Sequence, residues 1–331
     1  MAETKRALTI MPDIAQFLNE ASTMASQVDL LFFTLLASSS AIAVVIAGLI
    51  VYFGIKYRRR PDNLIADQTE GSTRLEIAWT VVPLILALGI FGWGAKVYFE
   101  IEAAPSNALD VYVVGKQWMW QFQHMEGARE INSLHVPVGQ AVRLTMTSQD
   151  VIHSFYVPAF RVKQDVLPDR YTTAWFQATQ PGSYHLFCAE YCGTNHSGML
   201  AQVIVMSPQD YQTWLKQGDV QDPIAAGART FTQFGCSGCH HTDNSGRGPT
   251  LVGVFGHPVQ LANDTSVIAD ENYVRESIMN PNTKIVAGYA PIMPSYQGQL
   301  NEDQLIQLLI YIKSLSNGAG TTPAPTGSPT P

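Results

Sequence analysis

The chain has 331 residues, enough for roughly two domains, yet only 14% are charged while 46% are hydrophobic. A typical soluble domain carries about 25% charged residues, so part of the apolar excess must face lipid. A net charge of −7 argues against nucleic acid and is compatible with a basic docking partner.

Residues 1–28 are mixed and polar, with Lys5 and Arg6, and lack the basic start followed directly by a short apolar core that marks a cleavable signal. They are read as a segment at the membrane surface. From Leu30 to Ile55 no residue is charged, and at 1.5 Å per residue the run reaches about 39 Å against roughly 30 Å of bilayer hydrocarbon. A second uncharged run, Ile77 to Ala95, contains Pro83, with Trp79 and Trp93 near its ends as interfacial anchors. The two predict a transmembrane hairpin over 29–100, with spans at about 30–55 and 77–96. Lys56-Tyr57-Arg58-Arg59-Arg60 and Arg74 lie between the spans, whereas Lys96 is offset by Glu100 and Glu102 after the second. The positive-inside rule puts the 57–75 loop in the cytoplasm and both termini outside.

From Leu109 to Met206 the pattern changes to short strands punctuated by Pro and Gly: Asp110 to Gln123, Gln140 to Thr147, Thr172 to Ala178, Gly182 to Cys188 and Met199 to Met206. An all-β sandwich or barrel is expected. Its loop from Cys188 to Met199 holds two thiols, an imidazole and a thioether, the soft and borderline ligands that copper prefers. His153, in an apolar stretch from Asp150 to Pro158, offers a second imidazole. A disulfide between Cys188 and Cys192 is the plain alternative, and the added His and Met at fixed offsets favour the metal.

Residues 207–221 read as a short surface helix leading into a linker (208–222), and a new domain begins near 223. Cys236-Ser237-Gly238-Cys239-His240 is a c-type haem attachment signature: two thiols for covalent attachment and an imidazole for iron. A zinc pair would need two further ligands, and the other two cysteines, Cys188 and Cys192, belong to the copper loop. It follows an amphipathic stretch, Ile224 to Phe234. A later helix starts at Asn301-Glu302-Asp303, with Leu305, Leu308, Leu309 and Ile312 as its apolar stripe. Residues 317–331, rich in Gly, Thr and Pro, read as a disordered tail.

The pattern Cys188-x3-Cys192-x3-His196-x2-Met199 plus His153 resembles the binuclear copper site, CuA, of cytochrome c oxidase subunit II, and with the haem signature the chain resembles the caa3-type subunit that carries its own cytochrome c. The resemblance implies a multidomain membrane protein: a two-helix transmembrane hairpin, an all-β cupredoxin domain (Greek-key sandwich or barrel, 105–207) and an all-α class I cytochrome c domain (223–316). It implies that Cys188 and Cys192 bridge two coppers, that His153 and His196 each bind one, and that Met199 and the Glu190 carbonyl are weak outer ligands. It also implies that Glu190 meets a magnesium ion at the boundary with subunit I.

Tyr289-Ala290-Pro291-Ile292-Met293-Pro294 resembles the cytochrome c segment that presents the sixth iron ligand, which singles out Met293. Met279, on an apparent helix from Glu271, is the competitor. Gly115-Lys116-Gln117-Trp118-Met119-Trp120 resembles the segment through which subunit II accepts electrons, with Trp118 foremost and Trp120 beside it; paired aromatics on a strand are otherwise core. Glu76 matches a carboxylate that helps admit protons to subunit I.

The function implied is an electron relay from an external donor (cytochrome c or a respiratory complex) through haem c and CuA to subunit I, where oxygen is reduced to water with proton pumping; subunit III is a further partner the resemblance implies. No catalytic acid or base is expected in this chain. The location implied is a bacterial cytoplasmic membrane, with both cofactor domains on the periplasmic side. Two other functions fit some of the motifs. A CuA-containing nitric oxide reductase subunit shares all of them, whereas a membrane-anchored copper-delivery protein would show a thioredoxin-like α/β domain.

Overall fold

The computed structural model describes residues 19–60, 71–217 and 222–316. Most of the expected N-terminal surface segment, part of the loop between the spans and the whole expected tail fall outside them. Two long helices come first, α1 (Ala25–Lys56) and α2 (Thr73–Glu102). At 1.5 Å per residue they reach about 48 and 45 Å, more than the bilayer hydrocarbon requires. Their apolar side chains point outward, Val44 at 71% and Phe91 at 73% exposure, as lipid-facing residues do. Both helices overrun the uncharged runs. α1 begins before Leu30 because Asp29, the charge that ends the run, is paired inside the fold: Arg161 donates to both its carboxylate oxygens at 2.7 Å.

Ten strands form the next domain: β1 (Leu109–Lys116), β2 (Met119–His124), β3 (Arg129–Ile131), β4 (Ser133–Pro137), β5 (Ala141–Ser148), β6 (His153–Val157), β7 (Val162–Val166), β8 (Thr172–Gln177), β9 (Gly182–Cys188) and β10 (Leu200–Met206). They make two five-stranded sheets, ordered β3-β2-β1-β5-β8 and β4-β10-β9-β6-β7. Between them lies one apolar core that includes Val111, Val113, Phe122, Leu144, Phe155, Phe176 and Leu186. This is a cupredoxin-like β-sandwich, with no thioredoxin-like α/β domain among the described residues.

One expected strand is two. Residues 110–123 fold into an antiparallel hairpin in which Lys116 pairs with Met119 and Gln117-Trp118 make the turn. That turn has none of the Gly, Asn or Asp residues that usually signal one, and so the break is invisible in the pattern. β1 is buried from Val111 to Gly115, because its second face is covered as well: Val111 and Val113 point into the sandwich, whereas Tyr112 and Val114 belong to a separate cluster with Ile306 and Ile310.

The β domain also recruits chain from before α1. Ala21 is 1% exposed and sits in the sandwich core, its N–H donating to the Ala159 carbonyl and its own carbonyl accepting from Thr179 N–H. Within the expected linker, α3 (Pro208–Gln217) docks on the sandwich through Tyr211 and Leu215 against Ala128. Beneath it Glu130 accepts hydrogen bonds from both His124 Nε2 (2.9 Å) and His135 Nδ1, and Tyr211 closes on His124 Nδ1 at 3.1 Å.

The C-terminal domain has three helices, α4 (Pro223–Gln233), α5 (Glu271–Met279) and α6 (Glu302–Ser316), and a small ribbon, β11 (Pro258–Gln260) with β12 (Ser266–Ile268). Each helix start is chemically marked. Asp222 accepts from Ile224 N–H at 2.9 Å with Pro223 in the first turn. Asp270 accepts from Tyr273 N–H at 2.8 Å, and Asn301 and Gln304 exchange reciprocal bonds at 2.9 and 3.1 Å. Leu305, Leu308, Leu309 and Ile312 are all buried in the domain's own core.

Candidate copper and haem sites

The strand register brings the copper-loop residues together. β6 and β9 are neighbours, with Phe155 opposite Cys188, and β9 pairs with β10 so that Phe187 lies opposite Leu200. Cys188 therefore ends one strand, His153 begins the next, and the loop from Ala189 to Met199 closes over them. Cys188 Sγ stands 3.8 Å from both His153 Nδ1 and Cys192 Sγ. Cys192 Sγ is 3.4 Å from His196 Nδ1 and 3.8 Å from Met199 Sδ. The Glu190 carbonyl lies 3.2 Å from Cys188 Sγ. A disulfide needs sulfurs about 2.05 Å apart, so the two thiols are separate, and His153, Cys188 and Cys192 offer donor atoms within 4.8 Å of one another.

Burial opposes ionisation of Cys188, but hydrogen bonds from His153 and the backbone at Ser154 outweigh it and bring the thiol down to about 6. Burial, then the negative charge of Cys188, pushes Cys192 up to about 12. Ionising one thiol therefore opposes ionising the other, and binding a soft cation displaces the protons the pair still holds.

Sequence reasoning missed Asp150 as part of this site; it read only as the start of a strand. Its carboxylate accepts from His153 Nε2–H at 2.8 Å and is itself held by Gln117 N–H (2.8 Å) and Val151 N–H (2.7 Å). In the neutral imidazole that bond keeps the proton on Nε2 and leaves the Nδ1 lone pair facing Cys188 for a metal. Gly115 lets the ring lie this close to β1: a Cβ there would be 2.9 Å from His153 Cδ2.

The two tryptophans differ. Trp118 is partly exposed, and its Nε1–H donates to the Cys192 carbonyl at 3.2 Å, alongside Gln117 Nε2–H at 2.7 Å. Trp120 is fully buried and packs edge-to-face on His153 and Phe155. The Glu190 side chain is exposed, and Glu76 is exposed in the first turn of α2, outside the copper loop.

In the C-terminal domain an apolar cleft is lined by Cys236, Cys239 and His240, with Phe231, Leu251, Ile278 and Leu300 among its walls. His240 Nδ1–H donates to the Pro249 carbonyl at 2.8 Å, which leaves Nε2 free as an iron ligand. Gly248 permits that approach, since a Cβ would come within 2.8 Å of His240 Cε1. Met293 lines the same cleft. Met279 ends α5 and packs against the domain core. Two thiols, one imidazole with a fixed tautomer and one thioether around an apolar cleft fit a haem.

Three family models match in succession: the transmembrane domain of cytochrome c oxidase subunit II over residues 12–92, its periplasmic domain over 128–207, and cytochrome c over 224–316. A cytochrome c oxidase subunit 2 of Alkalihalophilus pseudofirmus is 30% identical over 297 residues, covering 83% of each chain. Another, from Thermostichus vulcanus, is 33% identical over 255 residues, 60% of this chain and 77% of the relative. The periplasmic domain of subunit II of the Bradyrhizobium japonicum cytochrome oxidase, a crystal structure, is 28% identical and covers 35% of this chain and 96% of that one, with a TM-score of 0.34. A membrane hairpin, a copper-type β-sandwich and a haem-type C-terminal domain, matched in that order and by a relative across most of its length, place the chain in the cytochrome c oxidase subunit II family, with a cytochrome c domain fused at its C-terminal end.

Proposed function

We propose that the chain relays electrons one at a time from a donor outside the membrane, a cytochrome c or a respiratory complex, to subunit I, where oxygen is reduced to water with proton pumping. One observation carries this reading: soft copper donors converge in the β domain while Cys236, Cys239 and His240 line an apolar cleft in the same polypeptide. When bound, haem c and the dicopper centre supply the one-electron carriers. Cys188 and Cys192 would bridge the coppers, with His153 and His196 as terminal ligands and Met199 and the Glu190 carbonyl as weak ones. Cys236 and Cys239 would attach the haem covalently, and His240 and Met293 would hold its iron. Trp118 would carry electrons into the copper loop through the Cys192 carbonyl it holds, with Trp120 packed behind His153.

The exposed Glu190 carboxylate suits a hard cation such as Mg2+ shared with subunit I, and Glu76 is assigned to proton uptake with that subunit. A subunit III completes the proposed complex. The cationic run from Lys56 to Arg60 supports a bacterial cytoplasmic membrane location with the 57–75 loop inside and both cofactor domains on the periplasmic side.

Optical and EPR spectra of the purified complex test the reading. A haem c spectrum together with a copper signal shared over two nuclei is expected, and Cys188→Ser or Cys192→Ser should abolish the shared signal while sparing the haem. One zinc and no copper would overturn it. Uptake of nitric oxide instead of oxygen would make the complex a nitric oxide reductase.

A further inference from the structure

The two cofactor domains meet over a face that is apolar at its centre and ion-paired at its edge. From β1, Tyr112 and Val114 pack on Ile306 and Ile310 of α6. From the turn before β8, Tyr171 enters the other domain's interior: it is 4% exposed and shares a hydrophobic cluster with Phe231, Tyr273 and Leu308, all of which also line the haem cleft. Its N–H donates to Asn272 Oδ1 at 2.7 Å and its carbonyl accepts from Asn272 Nδ2 at 3.3 Å. Its hydroxyl donates to Glu302 Oε1 at 3.2 Å, and Arg275, paired with that carboxylate, lies 5.2 Å over its ring. At the edge, Lys313 of α6 reaches Asp110 of β1 at 2.9 Å while keeping Glu271 of its own domain at 3.3 Å.

Domains joined by a short connection move against each other by default, unless their interface is large and apolar. A buried tyrosine removes about 150–250 Å² from water, and here each of its polar groups finds its partner in the other domain. The turn that bears it is also tied to the copper site, because Tyr171 follows β7, whose Val166 lies opposite His153 in the sheet.

We propose that Tyr171 is a pin that holds the haem-bearing domain in one docked position, so that electrons cross to the copper site without the domain swinging. This rests on the relay reading above. In the step, the haem iron loses one electron and the dicopper centre gains one. Tyr171 is neither oxidised nor deprotonated; burial raises its hydroxyl well above the ordinary value. It is a positioning residue.

The test uses the full-length chain in its complex, with both cofactors loaded, and follows electron arrival at copper after flash reduction of haem c in buffers of rising viscosity. The native rate is expected to be independent of viscosity. Tyr171→Phe keeps the ring and backbone contacts and should match it. Tyr171→Ser should slow arrival at least tenfold and make it fall with viscosity, with both spectra unchanged. Lys313→Gln, at the edge of the interface, should move the rate the same way but less, and it serves as the test if Tyr171→Ser fails to fold. A native rate that already falls with viscosity overturns the pin, as does a Tyr171→Ser protein, spectrally intact, that transfers at the native rate. Absence of either spectrum from the native complex would instead overturn the relay reading.

Discussion

Asp150 Oδ1 lies 2.8 Å from His153 Nε2 on the side of the ring away from Cys188, so the carboxylate decides which imidazole nitrogen is free for metal. Asp150→Asn keeps the shape but loses the charge, and its amide can present a donor where an acceptor is needed. Outer partners of metal-binding histidines typically carry 10–100-fold in affinity, and a loss of about that size is expected when copper is titrated against a chelator. Unchanged affinity would mean that packing by Trp120 and Gly115 orients the ring unaided.

Met293 and Met279 should separate cleanly. Met293→Ala is expected to remove the weak sulfur-to-iron absorption band and lower the haem potential, since a thioether ligand raises it. Met279→Ala should leave both in place, and the opposite outcome would transfer the ligand role to Met279.

Trp118→Ala is expected to slow electron arrival at copper while changing the copper spectrum little, because its contact is with the Cys192 carbonyl and not with a ligand sulfur. Trp120→Ala empties a fully buried site against His153; it should cost about 3–5 kcal/mol of stability and disturb the copper spectrum. Equal slowing by both with no loss of stability would remove the distinction.

Glu76→Gln removes an ionisable proton and keeps size. Its local role, a carboxylate at a helix start, is worth about 0.3–1 kcal/mol. Slower oxygen turnover with normal transfer from haem c to copper is expected, and unchanged turnover across the pH range would reduce Glu76 to that local role.

Glu130 gives a pH-dependent stability. Burial alone would raise its carboxyl, but hydrogen bonds from His124 and His135 hold it below the usual value. A carboxylate lowered on folding stabilises the fold above its unfolded pKa, about 4.3, and loses that contribution as pH falls through the folded value. Glu130→Gln should therefore lower the stability at pH 7 by about 2 kcal/mol, and thermal melts should converge with the native protein as the pH drops below that range. A constant difference across the series would mean that the loss is packing and not charge.

The membrane runs, the copper loop and the haem signature were legible because each is local: an uncharged stretch, a ligand spacing, a five-residue motif. What the sequence hid is what neighbours decide. The turn at Gln117-Trp118 has no turn residue, β3, β4 and β7 are short edge or near-edge strands with little alternation, and Asp150 gains meaning only when β6 places it behind His153. In α6 the stripe Leu305, Leu308, Leu309 and Ile312 announced one buried face, but Ile306 and Ile310, four residues apart on another face, were the sign of a second surface against β1.

Ala21 and Ser22 stand ahead of the first membrane helix and Leu109 to Met206 come after the second, yet they knit into one core, with Ser22 bridged to Ala178 and its hydroxyl bonded to the Phe160 carbonyl at 2.8 Å. Arg161 tightens the join: it adopts a left-handed φ of +55°, a conformation costing ~1–2 kcal/mol for a residue with a side chain, and its guanidinium offsets that by clamping Asp29. Chain that leaves the sandwich through α1 must return to the same side of the membrane before the sandwich can close. The parity of crossings is thus written into the packing of the β domain as well as into the charges of the loop, and a fragment cut at Leu109 would begin life with an open seam along Ala159, Gln177 and Thr179.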